Sequence, residues 1–145
     1  MEVTIALRLP RDAASVSVTR QILAAELDVL GVERQIREDI QLMLTEACTN
    51  VIRHAGETDE YTVSAELIGD RCVITVVDTG HGFDPDKVAA ANGALLAEHG
   101  RGLQIMRALA DDVRFINRPR HGAIVCLEKA LRFTNGAAGH MLTTR

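Results

Sequence analysis

Residues 61–84 decide the fold, and they read YTVSAELIGDRCVITVVDTGHGFD. Apolar and β-branched residues dominate 61–68 and 72–77, which predicts two strands. Gly69-Asp70 stands between them, and a short turn of this kind is typical of a hairpin. The segment is therefore predicted to form an antiparallel strand pair, followed directly by a loop that contains two glycines.

The elements around this hairpin follow from apolar periodicity and from helix start and stop signals. We predict, in chain order, a strand over 3–9, a helix between Asp12 and Gly31, a helix from about Glu33 to His54, a helix beginning near Gly102, and two last strands, Val113–Asn117 and Ala123–Glu128. Helices and strands do not alternate strictly, which disfavours a doubly wound parallel sheet. The fold class we expect is α/β, a two-layer sandwich whose mixed, mostly antiparallel sheet carries helices on one face.

The chain has room for one domain, since it contains 145 residues and has a mass of 15.8 kDa. Hydrophobic residues make up 47% and charged residues 25%, as in globular rather than disordered proteins. We place the domain at residues 1–131. The end of the chain, FTNGAAGHMLTTR, has little to bury, so we expect residues 132–145 to form a disordered tail.

Composition excludes several classes of protein. The net charge is −4, aromatic residues make up 3% and no basic run occurs, which argues against a nucleic-acid partner. No apolar run approaches the roughly 18–20 residues of a membrane span, and the start of the chain lacks the features of a signal peptide, so we expect a cytoplasmic protein without a membrane partner. The three cysteines, Cys48, Cys72 and Cys126, show no CxxC spacing and are predicted to be reduced core residues.

The second predicted helix carries a polar ridge beside its core face. That core face consists of Ile40, Leu44, Ala47 and Val51. At about 100° per residue, Asn50 lies about 40° from Glu46, and Arg53 lies about 20° away on the other side. A carboxylate, an amide and a guanidinium therefore share one ridge. The ridge is either a ligand-facing surface or a solvated helix face with an i,i+4 pair.

A carboxylate and two glycines follow the buried run CVITVV, in Asp78-Thr-Gly80-His-Gly82. Glycines let the backbone approach a flat ligand while one acid contacts its edge, although a strand-end turn capped by Asp78 is the alternative. The dinucleotide-binding pattern GxGxxG does not fit, because Pro85 stands where its last glycine is required.

A third glycine-containing segment, Gly100-Arg101-Gly102-Leu103, stands where the next helix is predicted to begin. Free amides at a helix N-terminus bind anions such as phosphates. Taken alone, the segment is more typical of a plain loop. The order of the three segments along the chain carries more information than any one of them.

That order closely resembles the GHKL (Bergerat-fold) ATP-binding family. The matching segments are Glu46–His54 for the family's N box, Asp78–Gly82 for its G1 box and Gly100–Leu103 for its G2 box. The resemblance spans about residues 3–131. Within the family, the compact size and the segments TEACTNVIRHA and GRGLQIMRALADDV are similar to bacterial anti-sigma-factor serine/threonine protein kinases, which bind a sigma factor and phosphorylate an antagonist of the STAS fold.

The resemblance implies ATP and Mg²⁺ as cofactors and gives each matching residue a role. Asp78 is expected to accept a hydrogen bond from the adenine amine, Asn50 to bind Mg²⁺ and Glu46 to act as the general base. The remaining ATP contacts are expected from Gly80, Gly82, Gly100, Arg101, Gly102 and Leu103. Arg101 is equally compatible with a solvated arginine. Residues 85–99 correspond to the family's variable ATP lid, and a helix with Leu95 and Leu96 packed on the body of the domain is the alternative.

The resemblance also implies partners: a sigma factor, a STAS-type anti-anti-sigma protein and, as often in the family, a second copy of the chain. Arg20 is a candidate partner contact or an ordinary exposed arginine. Two alternatives stay open, a non-catalytic ATP-binding regulator and the catalytic part of a histidine kinase system. The Asp78-Thr-Gly80 triplet also resembles that of aspartic proteases, but the long helix ending at His54 contradicts their all-β fold.

Overall fold

The structure is a computed structural model, and it describes residues 1–54, 60–78, 92–118 and 122–143. Its strands are β1 (Glu2–Pro10), β2 (Glu60–Ile68), β3 (Arg71–Asp78), β4 (Asp112–Arg118) and β5 (Gly122–Ala130). Its helices are α1 (Ala13–Leu30), α2 (Arg34–His54), α3 (Asn92–Leu109) and α4 (Ala138–Thr143). The predicted elements are present with closely matching ends, except that α3 starts earlier and α4 was not predicted.

The five strands form one sheet in the order β1-β2-β3-β5-β4, and every neighbouring pair is antiparallel. The β2–β3 hairpin turns at Gly69, whose φ of 59° is in the left-handed region that glycine adopts readily. Because only Gly69 and Asp70 separate the strands, Ile68 pairs with Arg71 and Tyr61 pairs with Asp78 at the far end. The predicted α/β sandwich is confirmed, with an antiparallel sheet throughout.

The helices cover one face of the sheet, and burial alternates along the strands accordingly. The buried side chains of the two hairpin strands are Tyr61, Val63, Ala65, Leu67, Cys72, Ile74, Val76 and Asp78. Helix α2 lies at the centre, in contact with β3, β5, α1 and α3. None of the helices in the described ranges is both long and apolar enough to cross a membrane.

Local signals set both ends of α1. The Asp12 carboxylate accepts a hydrogen bond from the Ala14 amide at 2.8 Å, which is the N-cap predicted from the sequence. Gly31 ends the helix with φ 76°, and its amide donates to the Asp28 carbonyl. Both predicted boundaries are confirmed, because each depends on side chains close to it in sequence.

Helix α3 begins at Asn92, so the prediction that it starts near Gly102 is wrong. The ten residues from Asn92 read NGALLAEHGR, and five of them are alanine, leucine or glutamate, which favour helix. The helix that starts at Asn92 therefore continues without a break through Gly100 and Gly102.

The end of the chain differs from the expected disordered tail. Phe133 forms an isolated antiparallel bridge with Val32 and packs against the core. Gly139 in α4 lies so close to the Phe133 ring and the Leu30 carbonyl that a side chain at position 139 would collide with both. The packing of Phe133 thus attaches a segment that was expected to be disordered because it has little to bury.

The three cysteines are free, and they differ in position. Cys48 and Cys72 are buried as predicted. The prediction of a core position is wrong for Cys126, which is half-buried between the buried residues Val125 and Leu127. Strand alternation turns its side chain to the face of the sheet opposite the helices.

Candidate functional site

Glu46 and Asn50 stand one turn apart on α2, next to the face that this helix buries. The buried face consists of Ile40, Leu44, Ala47 and Val51, as the periodicity predicted. Glu46 and Asn50 are half-buried, whereas Arg53 on the same ridge is exposed. A carboxylate and an amide are thus held beside the core with part of each side chain accessible to a ligand.

Helix α3 brings Gly102 against the Glu46 side chain. A Cβ atom at position 102 would lie 2.8 Å from Oε2 of Glu46 and 3.8 Å from its Cδ. The following turn of α3 is held against the core, because Leu103 packs against the core and Met106 is buried in it. Two segments that the sequence singled out separately, the polar ridge of α2 and the 100–103 segment, therefore meet at Gly102.

Asp78 is the last residue of β3 and is fully buried. Its strand is central in the sheet, and α2 packs against the same strand. In such low-dielectric surroundings a carboxylate is a strong acceptor for a charged or polarised N–H donor. The position suits recognition of an amine at the edge of a flat ring.

Tyr61, directly opposite Asp78 in the hairpin, anchors the region beneath it. The Ser15 hydroxyl donates to the Asp12 carbonyl at 2.7 Å, which leaves the Tyr61 hydroxyl as donor in its 2.5 Å contact with Ser15 Oγ. Burial raises the pKa of Tyr61 to about 12, against the lowering effect of the Ser15 hydrogen bond. Burial likewise raises the pKa of the Cys48 thiol of α2, which lies near Tyr61, to about 12. These groups stay neutral and link α1, α2 and β2.

Arg11 fixes the end of α2 that follows Asn50. Its Nη2 donates to the carbonyl oxygens of Val51 and Ile52, each at 3.0 Å. A cation at a helix C-terminus is also favoured by the helix dipole. Sequence reasoning missed this residue, and no local signal could have found it, because Arg11 and Val51 are distant in the chain. Tyr61 was also missed, although counting outward from the two-residue turn pairs it with Asp78.

The other predicted site residues are placed differently. Gly80 and Gly82 lie outside the described residues, as do His81 and Phe83. Arg101 is exposed on α3. Because the helix is continuous through residues 100–103, the amides of Gly102 and Leu103 are directed along its axis, and the expected free helix N-terminus is not found there. Phosphate binding by these residues stays a prediction.

The described donor groups fit ATP and Mg²⁺. A buried carboxylate suits the exocyclic amine of adenine, and the side-chain oxygen of Asn50 is of the kind that Mg²⁺ prefers. Mg²⁺ commonly takes one or two protein ligands and completes its shell with phosphate oxygens and waters. The site therefore has the chemistry for a metal-bound nucleotide.

Comparison with known proteins agrees with this chemistry. Residues 9–129 match the family described as the histidine kinase-like ATPase domain. A serine-protein kinase RsbW of Bacillus cereus is 30% identical over 123 residues, which cover 78% of this chain and 77% of that protein. A serine-protein kinase RsbW of Oceanobacillus iheyensis is 28% identical over 136 residues, which cover 86% of this chain and 85% of that protein.

Solved structures share the fold. The crystal structure of the RsbU and RsbW domains of Rv1364c from Mycobacterium tuberculosis superposes with a TM-score of 0.69 at 21% identity, covering 92% of this chain and 35% of that chain. The histidine kinase domain of the blue-light activated histidine kinase EL346 from Erythrobacter litoralis gives a TM-score of 0.52 at 20% identity. The match covers 85% of this chain and 62% of that chain. The chain thus spans about a third of the first of these proteins.

Proposed function

The chain belongs to the histidine kinase-like ATPase domain family, and from this premise we propose that it is an ATP-dependent serine/threonine protein kinase acting as an anti-sigma factor. Relatives named serine-protein kinase, at about 30% identity over most of the chain, support the kinase activity. The observation that carries the proposal is the contact between the half-buried Glu46 carboxylate and Gly102 of α3. This proximity supports the assignment of Glu46 as the proton acceptor, next to the segment from which phosphate binding is expected.

Nucleotide selection is assigned to Asp78. The buried carboxylate accepts a hydrogen bond from the exocyclic amine of adenine. Guanine presents a carbonyl oxygen at the same edge of its ring, and two acceptors facing each other repel. ATP is therefore the expected nucleotide, and GTP is expected to bind more weakly.

The metal is assigned to Asn50. Mg²⁺, when bound, neutralises negative charge on the phosphates during phosphoryl transfer. The side-chain oxygen of Asn50 would hold the ion from the α2 side, one turn from Glu46. Arg11 holds the carbonyls of the next two residues and so helps to fix the helix backbone that carries Asn50.

Transfer is assigned to Glu46. The hydroxyl oxygen of the substrate serine or threonine forms a bond to the γ-phosphorus, and the bond from that phosphorus to the bridging oxygen of ADP breaks. The hydroxyl proton moves to the Glu46 carboxylate, and ADP leaves with the electron pair of the broken bond. Glu46 is half-buried, so it is accessible to a hydroxyl while shielded in part from water.

The protein substrate is proposed to be a STAS-type anti-anti-sigma protein, and the sequestered partner a sigma factor. Both come from the family resemblance and from relatives named RsbW. Arg20 is exposed on α1 and is available for a partner contact. Pairing of two copies of the chain is part of the same proposal, and light scattering of the purified protein measures it directly.

The test is phosphoryl transfer from γ-labelled ATP with Mg²⁺ to purified STAS-fold proteins encoded near this chain. Acid-stable label on a serine or threonine is expected. Glu46→Gln should keep ATP affinity and reduce transfer by roughly 10²–10⁴. Glu38→Gln is the matched control, because Glu38 lies on the same helix in an exposed pair with Arg34 and should leave transfer unchanged.

Each other outcome points to a different function. A wild-type protein that binds ATP and its partner without transferring phosphate would be a non-catalytic regulator. Acid-labile label would indicate phosphohistidine and the catalytic part of a histidine kinase system. Loss of ATP binding in Glu46→Gln would make Glu46 a structural or metal-linked residue and not the base.

A further inference from the structure

Gly102 lies inside α3, where backbone conformation does not require glycine. Its φ is not among the positive values, which occur at Gly31, Gly69 and Gly136 among the described glycines. Glycine is a poor helix former and alanine is the best, so the residue weakens the helix that contains it. The reason for a glycine at this position must therefore be space.

The space is occupied by the carboxylate of Glu46. A Cβ at position 102 would come within 2.8 Å of Oε2, closer than non-bonded atoms of this kind approach each other. The other near atoms, Cδ at 3.8 Å and Cβ at 3.9 Å, belong to the same side chain. A side chain at 102 would thus displace this carboxylate before it met anything else.

The helix itself is held in place at this point. Leu103 and Met106 pack into the core on the turn that follows Gly102. At the far end of α3, Lys129 donates to the Leu109 carbonyl and forms an ion pair with Asp39 of α2, at 3.6 Å. Both members of that pair are mostly buried. Because α3 is fixed against α2, the flexible glutamate must move when the space is filled.

We propose that Gly102 is a positioning residue for phosphoryl transfer: the missing side chain leaves the room in which the Glu46 carboxylate points at the attacking hydroxyl. The inference rests on the proposed function of Glu46 as general base. This role for Gly102 differs from phosphate binding. Glycine is required at position 102 to leave room for the Glu46 carboxylate, and not to contact the nucleotide.

The first experiment is Gly102→Ala. The variant should fold and unfold at the same or a higher temperature, since alanine favours the helix. ATP affinity should stay within about threefold, while kcat should fall by roughly tenfold to a hundredfold, the effect of misplacing a reacting group by about 1 Å. A matched control is Gln104→Ala, an exposed position on the same helix, which should leave kcat and KM unchanged. Lost ATP binding with a preserved single-turnover rate would overturn the proposal in favour of a nucleotide role.

The second experiment is a double-mutant cycle with Glu46→Asp, whose side chain is one methylene shorter. Filling the space at position 102 should then cost less than about threefold in kcat, because the shorter carboxylate no longer occupies it. Penalties that simply multiply in the double variant would overturn the proposal, since they would show that the two positions act independently.

A third measurement does not depend on activity. The carboxyl ¹³C resonance of Glu46, assigned by its loss in Glu46→Gln, should move in Gly102→Ala and stay in Gln104→Ala. A resonance that stays in both variants would overturn the proposal. If the resonance moves but the wild-type protein transfers no phosphate, Gly102 does leave room for the Glu46 carboxylate, and only the proposed kinase function is wrong. Failure of this inference and failure of the proposed function therefore give different results.

Discussion

Tyr61 and Asp78 form one cross-strand pair of the β2–β3 hairpin, and both side chains are fully buried on the helix-covered face. Side chains directly opposite in an antiparallel pair are close enough to pack. The ring of Tyr61 is fixed at its hydroxyl by Ser15, so it forms a rigid support beside the carboxylate. The strand partner of the carboxylate assigned to adenine is therefore held in place by a hydrogen bond between α1 and β2.

Replacing Asp78 by asparagine should weaken ATP binding by about 10- to 150-fold. A charge-assisted hydrogen bond to the adenine amine is worth about 1.5–3 kcal/mol, and asparagine keeps the shape without the charge. Titration calorimetry with ATP measures the change. Asp70→Asn, at the exposed hairpin turn, is the control and should bind as the wild type does. Wild-type affinity in Asp78→Asn would remove this residue from the adenine site.

Replacing Tyr61 by phenylalanine should lower the free energy of unfolding by about 0.5–1.5 kcal/mol. The substitution removes a hydroxyl that bonds to Ser15, while the ring beside Asp78 is kept. ATP affinity should fall much less than in Asp78→Asn. Urea unfolding and calorimetry check the two parts, and an unchanged urea midpoint would contradict the structural role given to this hydroxyl.

Replacing Asn50 by alanine should raise the Mg²⁺ concentration needed for tight ATP binding and abolish transfer. The amide oxygen is the protein ligand assigned to the metal, and alanine supplies no donor. ATP binding titrated against Mg²⁺ checks this. Gln41→Ala, half-buried on the same helix but outside the site, serves as control. The same Mg²⁺ dependence in wild type and Asn50→Ala would place the metal elsewhere.

Stability should depend on pH through Glu26 of α1. Both of its carboxylate oxygens are buried and accept no hydrogen bond from the described residues, and burial raises its pKa above the ordinary 4.5. The folded state then binds more protons than the unfolded state between pH 4.5 and the raised value, so the free energy of unfolding falls as pH rises through that window. Cys72 faces Glu26 and stays neutral there, because burial and then the nearby Glu26 raise its pKa to about 12.

Glu26→Gln cannot titrate and should lack this slope. Its stability relative to the wild type should therefore increase from pH 4 to pH 7, as measured by urea unfolding at several pH values. In Glu38→Gln, a substitution at an exposed position, the free energy of unfolding should change with pH as it does in the wild type over the same range. A constant difference between Glu26→Gln and the wild type would show that Glu26 keeps its ordinary pKa in the folded protein.

Local features of the sequence determined much of this structure. The cap at Asp12, the stop at Gly31 and the core face of α2 were all predictable, because each depends on residues within a few turns of one another. The two-residue turn at Gly69-Asp70 also fixes the register that pairs Tyr61 with Asp78. Glu46, Asn50 and Asp78 could be singled out in the same way, from helical phase and from the end of a buried strand.

Only the tertiary structure decided how these parts meet. The start of α3 was mispredicted because two opposite local tendencies occur together. Alanine and leucine between Asn92 and Gly100 favour helix, whereas the glycines in and after this stretch favour a loop, and the sequence does not show which tendency is stronger. The close approach of Gly102 to Glu46 joins two helices far apart in the chain, and the lack of room for a Cβ at position 102, which would lie 2.8 Å from Glu46 Oε2, depends on how the helices pack. Periodicity shows which face of a helix is buried, but the packing of fixed backbones alone determines which side chain has room.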